Sequence, residues 1–270
     1  MRIFLIVALS LLTLISHAQE IDSPYEWNWI KDGIWLGTGL AGSATGLILI
    51  KNKEGVEVSA LATLNKKDIS RINRWSAGYS SERANAISDI PFAISFAAPF
   101  ALLLDNSINN NTGQYIGLYI ESLATTVALF SITAGLVDKS RPYVYDENVE
   151  LERRTSTTGQ RSFYSGYVAA AATATFFAAK VYSDYYPDTD GKLLIWTGAA
   201  IVPGVVGYYR LKAGQHFLTD ILVGYALGAA SGILIPELHK TKEASLRLSP
   251  TAGRNFLGDD YSGLALSYSF

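Results

Sequence analysis

The chain has 270 residues, 49% of them apolar, and 22 Lys and Arg against 24 Asp and Glu give a net charge of -2. That near balance leaves no broad basic surface, so nucleic acid is not an expected partner, while a mean hydropathy of +0.17 points toward a membrane. The absence of cysteine excludes disulfides, thiolate metal sites and cysteine nucleophiles.

At the amino terminus, MRIFLIVALSLLTLISHAQE places Arg2 ahead of an apolar stretch from Ile3 to Ile15 and closes it with Ser16-His17-Ala18. This reads as a secretory signal over residues 1–18, cleaved before Gln19. The competing reading is an uncleaved membrane helix, although the apolar stretch is short for a span of about 20 residues. Beyond it, apolar segments rich in small residues run over 32–50, 85–104, 115–137, 163–182, 193–209 and 216–235. Their length and periodicity predict six helices. Stretches such as GTGLAGSATG and GYVAAAATATFFAA suit close helix packing in a bilayer; a compact soluble bundle is the alternative. The expected fold is therefore all-α, a six-helix membrane-type bundle over residues 19–240.

Between the first two segments, residues 51–83 carry mixed charge with Trp75 and Tyr79 among basic residues, as either an interfacial helix or a solvated connection would. After the sixth, Pro236 is expected to break the helix. The tail, residues 241–270, then changes period: ASLRLSP and YSGLALSYSF alternate apolar and polar residues and put Leu264, Leu266, Tyr268 and Phe270 on one face. That pattern predicts a short C-terminal β-hairpin.

Chemistry concentrates in three places. RLKAGQHFLTD, residues 210–220, brings Arg210, His216 and Asp220 together ahead of the last apolar segment. Ala213-Gly214 signals a turn, which puts His216 in the first turn of the last helix and Asp220 at i+4 on the same face. A carboxylate so placed can accept the imidazole Nδ1–H and leave Nε2 free as a nucleophile. Arg210, in the preceding loop, can fork onto an oxyanion, and the helix amino terminus adds a positive field. Upstream, DKSRPYVY ends the third segment with Arg141-Pro142, and RSFYSGYVAA opens the fourth with Ser165-Gly166. Taken singly, each of these has an ordinary structural explanation: a helix-surface ion pair, a basic membrane flank, a Ser/Gly helix start.

Together the three resemble the type 2 phosphatidic acid phosphatase family, which includes bacterial acid phosphatases and vanadium haloperoxidases. The family pattern is Lys, six residues, Arg-Pro; then Pro-Ser-Gly-His; then Ser-Arg, five residues, His, three residues, Asp. Arg210, His216 and Asp220 reproduce the third spacing, and Arg141-Pro142 and Ser165-Gly166 match the cores of the first two. The resemblance implies that His216 attacks phosphorus, that Asp220 orients it, and that Arg141, Arg210, Ser165 and the Gly166 amide hold phosphoryl oxygens. Four positions depart from the pattern: Ala134 occupies the first-motif lysine position, Tyr164 and Tyr167 replace the second-motif proline and histidine, and Tyr209 replaces the third-motif serine. Tyr167 and the out-of-register Lys139 are the candidate substitutes. A tyrosine hydroxyl can donate a proton but is poorly matched to neutral pH, and loss of general acid catalysis costs roughly 10²–10⁴-fold.

Two function classes stay open: a phosphatase acting on a lipid, isoprenoid or small phosphate ester through a phosphohistidine, and an impaired relative that binds phosphate-bearing lipid or serves as an envelope scaffold. Vanadate-dependent halide oxidation is a distant third. No cofactor and no metal site is expected, since His17 leaves with the signal, only His216 and His239 are left, and His239 in PELHKTKE reads as a solvated helix-end residue. The expected location is a bacterial-type cell envelope. Basic residues in the first loop, from Lys51 to Arg83, favour an inside placement for the pocket, whereas the family's membrane enzymes usually face theirs outward.

Overall fold

The structure, a computed structural model, describes residues 23–241, 245–254 and 260–269; the expected signal sequence and Phe270 lie outside them. Six long helices form the bundle: α1 (Trp29–Lys51), α2 (Glu82–Leu102), α3 (Thr112–Leu136), α4 (Gly166–Tyr185), α5 (Lys192–Lys212) and α6 (Leu218–Leu238). Each falls on one of the six apolar segments.

Five of the six, all but α4, are long and apolar enough to cross a membrane, each spanning about 30–38 Å at a rise of 1.5 Å per residue. Their outer faces present Ile34, Leu40, Ile94, Leu194, Ile201 and Leu222. The interior holds an aromatic and aliphatic cluster around Tyr115, Leu118, Tyr119 and Phe177, while the contact between α4 and α6 is built from alanine, glycine and threonine. Long helices with large apolar residues on their outer faces and small residues where two helices meet suit a bundle in lipid, and the chain is membrane-associated.

α4 is the axis of this arrangement, packed against α2, α3, α5 and α6. Being enclosed by protein, it carries polar residues that a lipid-facing helix would not. Thr173 Oγ1 donates to the Gly228 carbonyl at 3.1 Å, and Thr175 Oγ1 to the Ala199 carbonyl at 2.8 Å. Gly224, Gly228 and Gly232 of α6 recur every four residues against the α4 backbone, where an added Cβ would meet the carbonyl oxygens of Ser165, Ala169 and Thr173. Only glycine allows that approach.

The chain reverses so that the carboxyl ends of α1, α3 and α5 and the amino ends of α2, α4 and α6 lie together. Residues 52–81 cover this end with two short helices, Val58–Leu61 and Arg71–Arg74, and a 3₁₀ turn; no long interfacial helix forms there. At the opposite end, Tyr25 bridges to Lys240. Two sequence expectations need correction. α6 continues through Pro236 to Leu238, because a proline in the final turn forfeits a single hydrogen bond before the helix would stop anyway. His239 is not solvated: it caps α6 with its side chain 12% exposed, against acidic partners described below. The tail forms the expected antiparallel hairpin, Ser245–Arg254 with Asp260–Ser269, pairing Leu248 with Leu266 and Leu246 with Tyr268.

Candidate active site

Three loops meet at the end of the bundle where α4 and α6 begin. Gly214, at a φ of 69°, turns the chain out of α5, and a Cβ there would run into the Tyr79 carbonyl oxygen. Its own carbonyl accepts from Tyr143 N at 3.1 Å, while Gly78 N donates to the Pro142 carbonyl at 2.8 Å. The Arg141-Pro142 loop is thereby tied to both its neighbours. A second tie links residues 139–141 to 159–162, through Lys139 N to Gln160 O at 3.1 Å, Ser162 N to Lys139 O at 3.0 Å and Arg141 N to Gly159 O at 2.8 Å.

His216 lies two residues ahead of α6, not in its first turn, because the helix is capped at Phe217 with Asp220 as the reciprocal partner. The imidazole is 3% exposed, and Nδ1 sits 2.7 Å from the Ser162 carbonyl oxygen. A carbonyl only accepts, so the proton is on Nδ1 and the Nε2 lone pair is free. Among the described residues nothing hydrogen-bonds Nε2. The tautomer, with Nε2 free, is the one expected from sequence, but the group that holds the ring is not: Asp220 does not accept from His216. Its Oδ2 takes the Ser162 hydroxyl at 2.6 Å and Phe217 N at 3.1 Å, and its Oδ1 pairs with Lys139 Nζ at 2.5 Å. The helix cap claims the carboxylate, and Ser162 stands between it and the histidine.

Arg141 and Arg210 flank this ring. Arg141 donates through Nε to the Arg161 carbonyl at 3.3 Å and through Nη1 to Gln215 Oε1. Arg210 belongs to the last turn of α5 rather than to the following loop; its Nη1 donates to Asn85 Oδ1 at 2.8 Å and approaches Ser88 Oγ at 3.5 Å. Its guanidinium stands 4.2 Å over the Tyr167 ring, which stacks in turn on Phe92. Both arginines are buried, and among the described residues neither pairs with a carboxylate. Arg210 Nε is buried with no acceptor.

The electrostatic consequences follow directly. Burial, then the charges of Arg141 and Arg210, hold the His216 imidazole well below its ordinary value, against a smaller opposing effect from its bond to Ser162. Burial also lowers Arg141 to about 9, with Arg210 and Arg161 adding to the effect and Tyr143 opposing it. Arg141 therefore stays charged at neutral pH, while His216 is neutral.

Ser165 is the N-cap of α4, its hydroxyl 3.5 Å from Val168 N and its own amide on the Asp220 carbonyl at 3.0 Å. Gly166 packs where a Cβ would meet the Phe130 ring. Tyr164 is buried against Phe130 with its hydroxyl unpartnered. Lys139 neutralises Asp220 and lies 5.3 Å from the Phe217 ring centroid. Four residues that position this site were not legible as candidates: Ser162, Gln215, Asn85 and Ser88. The last two carried a faint signal, polar residues three apart at the start of an apolar helix.

Fold and site together define a membrane-associated helical bundle whose one end holds a buried, neutral histidine between two unpaired arginines. Residues 115–244 match the model of the PAP2 superfamily. Among solved structures, a similar one is that of a transmembrane PAP2 type phosphatidylglycerolphosphate phosphatase from Bacillus subtilis, at 18% identity and a TM-score of 0.47, covering 74% of this chain and 94% of that one. No curated protein matches the chain.

Proposed function

We propose that the chain is a membrane phosphatase that hydrolyses a lipid, isoprenoid or small phosphate monoester through a phosphohistidine on His216. The observation that carries this reading is the pair of buried guanidiniums without counter-ions beside a free imidazole Nε2. Burying a cation is costly unless it is paired, and a phosphoryl group supplies the missing anion to both at once, in the forked geometry guanidinium favours.

In this reading Nε2 attacks phosphorus as the P–O bond to the leaving group breaks, and the leaving oxygen takes a proton. Arg141 and Arg210 carry the charge on the equatorial oxygens. The Ser162 carbonyl steadies the imidazole as Nε2 becomes bonded to phosphorus, and Asp220, neutralised by Lys139, fixes Ser162. Water then hydrolyses the P–N bond and regenerates the free imidazole. Tyr167 is a candidate for the leaving-group proton, and its engagement with Arg210 and Phe92 favours substrates whose leaving group needs little protonation.

The same engagement favours a second reading, an impaired family member that binds phosphate-bearing lipid without turnover. The test is phosphate release by purified protein from phosphatidic acid, an isoprenyl diphosphate and an aryl phosphate, alongside His216→Ala, with acid-labile labelled phosphate trapped on the protein. Release and trapping that both vanish in the variant support the phosphatase. Phosphate or lipid binding that depends on Arg141 and Arg210, with no release above the variant, supports the binding protein.

A further inference from the structure

The end of the bundle opposite His216 carries a cluster with the reverse electrostatic problem. Asp32 of α1, Glu121 of α3 and His239 at the cap of α6 bring one ligand atom each to within 4.8 Å of one another. His239 Nδ1 lies 2.7 Å from the Ile235 carbonyl oxygen, so Nδ1 holds the proton and Nε2 faces inward. There it meets Asp32 Oδ1 at 3.1 Å and Glu121 Oε2 at 3.2 Å. A lone pair facing two carboxylates is repulsive unless a cation sits among them.

A proton on Nε2 is the simplest such cation, and the geometry argues against its being sufficient. The approach to Asp32 is aligned as a hydrogen bond. Glu121, whose side chain is fully buried, has both oxygens without a hydrogen-bond partner. An imidazolium therefore serves Asp32, leaves Glu121 unsatisfied, and leaves the cluster one negative charge in excess. Nearby cations are committed elsewhere: Lys180 pairs with Asp184 and Glu237, and Lys240 with Asp184.

We propose that Asp32, Glu121 and His239 bind a divalent transition-metal ion of the zinc or manganese class, which clamps α1, α3 and α6 together at this end. Two carboxylates and a neutral imidazole balance a 2+ charge and suit these ions. Separations of 3.1 and 3.2 Å between ligand atoms fall in the range of about 3.0–3.4 Å expected when metal–ligand bonds are about 2.1 Å long. The supporting contacts are those of a metal site: Nδ1–H on a backbone carbonyl fixes the ring, and Asn28 N, 2.6 Å from Asp32 Oδ2, turns Oδ1 inward. A cavity of about 290 Å³, lined by Asn28, Asp32, Trp35 and His239, opens onto the cluster and gives an ion a way in. A carboxylate buried within a membrane helix is itself expensive enough to call for a partner.

The experiment uses the full chain in detergent, with any affinity tag removed, stripped with a chelator and titrated calorimetrically with Zn²⁺ and with Mn²⁺ while thermal unfolding is followed. The expected result is about one ion per chain, with a rise in Tm on loading. Both should be lost in Glu121→Gln and in His239→Gln and kept in His216→Ala. Wild-type protein that binds neither ion, or binding that persists unchanged in both Glu121→Gln and His239→Gln, overturns the proposal. Because wild type alone can fail the test, misfolding of a variant does not shelter it, and because no substrate is involved, the result is independent of the phosphatase reading.

Discussion

The buried His216 makes a specific prediction about stability against pH. In the unfolded chain its imidazole takes up a proton near pH 6.5; in the folded protein burial and the two arginines postpone protonation to well below that. Between those limits the unfolded state binds more protons than the folded one, so stability falls as pH falls. At pH 5.5, with the folded ring still neutral, this one residue subtracts about 1.4 kcal/mol relative to a pH well above 6.5. Replacing it by glutamine removes the effect while keeping a polar side chain of similar reach. Denaturant unfolding in detergent at pH 7.5 and 5.5, on wild type and His216→Gln, should show the variant losing less stability across that interval by about 1.4 kcal/mol. The interval matters rather than the absolute stability, since glutamine alters packing equally at both pH values. Parallel pH dependence in the two proteins would refute the reasoning, because it would mean that the folded ring protonates as easily as a free one.

Other consequences follow from the same geometry. Arg141→Met and Arg210→Met each remove a buried cation that has no carboxylate partner, so each should leave unliganded stability unchanged or raised by up to about 1–4 kcal/mol. Both should abolish the rise in Tm expected of wild type with phosphate or vanadate, and cost roughly 10²–10³ in any phosphate release; a strongly destabilised variant in a thermal melt counts against the unpaired-cation argument. Gly224→Ala sets a methyl 2.5 Å from the Ser165 carbonyl oxygen and should cost about 1–3 kcal/mol by chemical denaturation while pushing α6 off the start of α4. The chain has no cysteine, so single cysteines can be scanned without a background. Positions 54 and 147, at the His216 end, should label from one face of the membrane and positions 26 and 188 from the other, with the first pair inside if the basic loop residues set orientation.

All six long helices were visible in the sequence, because runs of apolar and small residues report burial in lipid or in a bundle without needing to know the neighbours. The spacing of Arg210, His216 and Asp220 likewise pointed to the junction of α5 and α6, although only Asp220 lies in the first turn of a helix. The sequence could not say which acceptor the imidazole would take. An i+4 carboxylate and a backbone carbonyl are equivalent on a helical wheel until the cap forms, and here Phe217 N and Ser162 Oγ take Asp220 first. His239 was misread for a related reason. Its partner Asp32 is 207 positions away, brought near only by the packing of α1 and α6 around α3, and no local pattern carries such a pairing.

The two ends of the bundle pose opposite problems: unpaired arginines at the one, a buried pair of carboxylates at the other. It is tempting to let the two imbalances cancel across the fold, but distance forbids it. α6 alone separates the ends by about 30 Å, where opposite unit charges at an effective dielectric of 20 attract by only about 0.5 kcal/mol. Removing one partner of a buried pair typically costs about 3–5 kcal/mol, several times that attraction. Neither end can neutralise the other, so the two proposed ligands, an anion beside His216 and a cation beside His239, act separately. Phosphate and metal should then stabilise the protein independently, their effects on unfolding free energy adding when both are present.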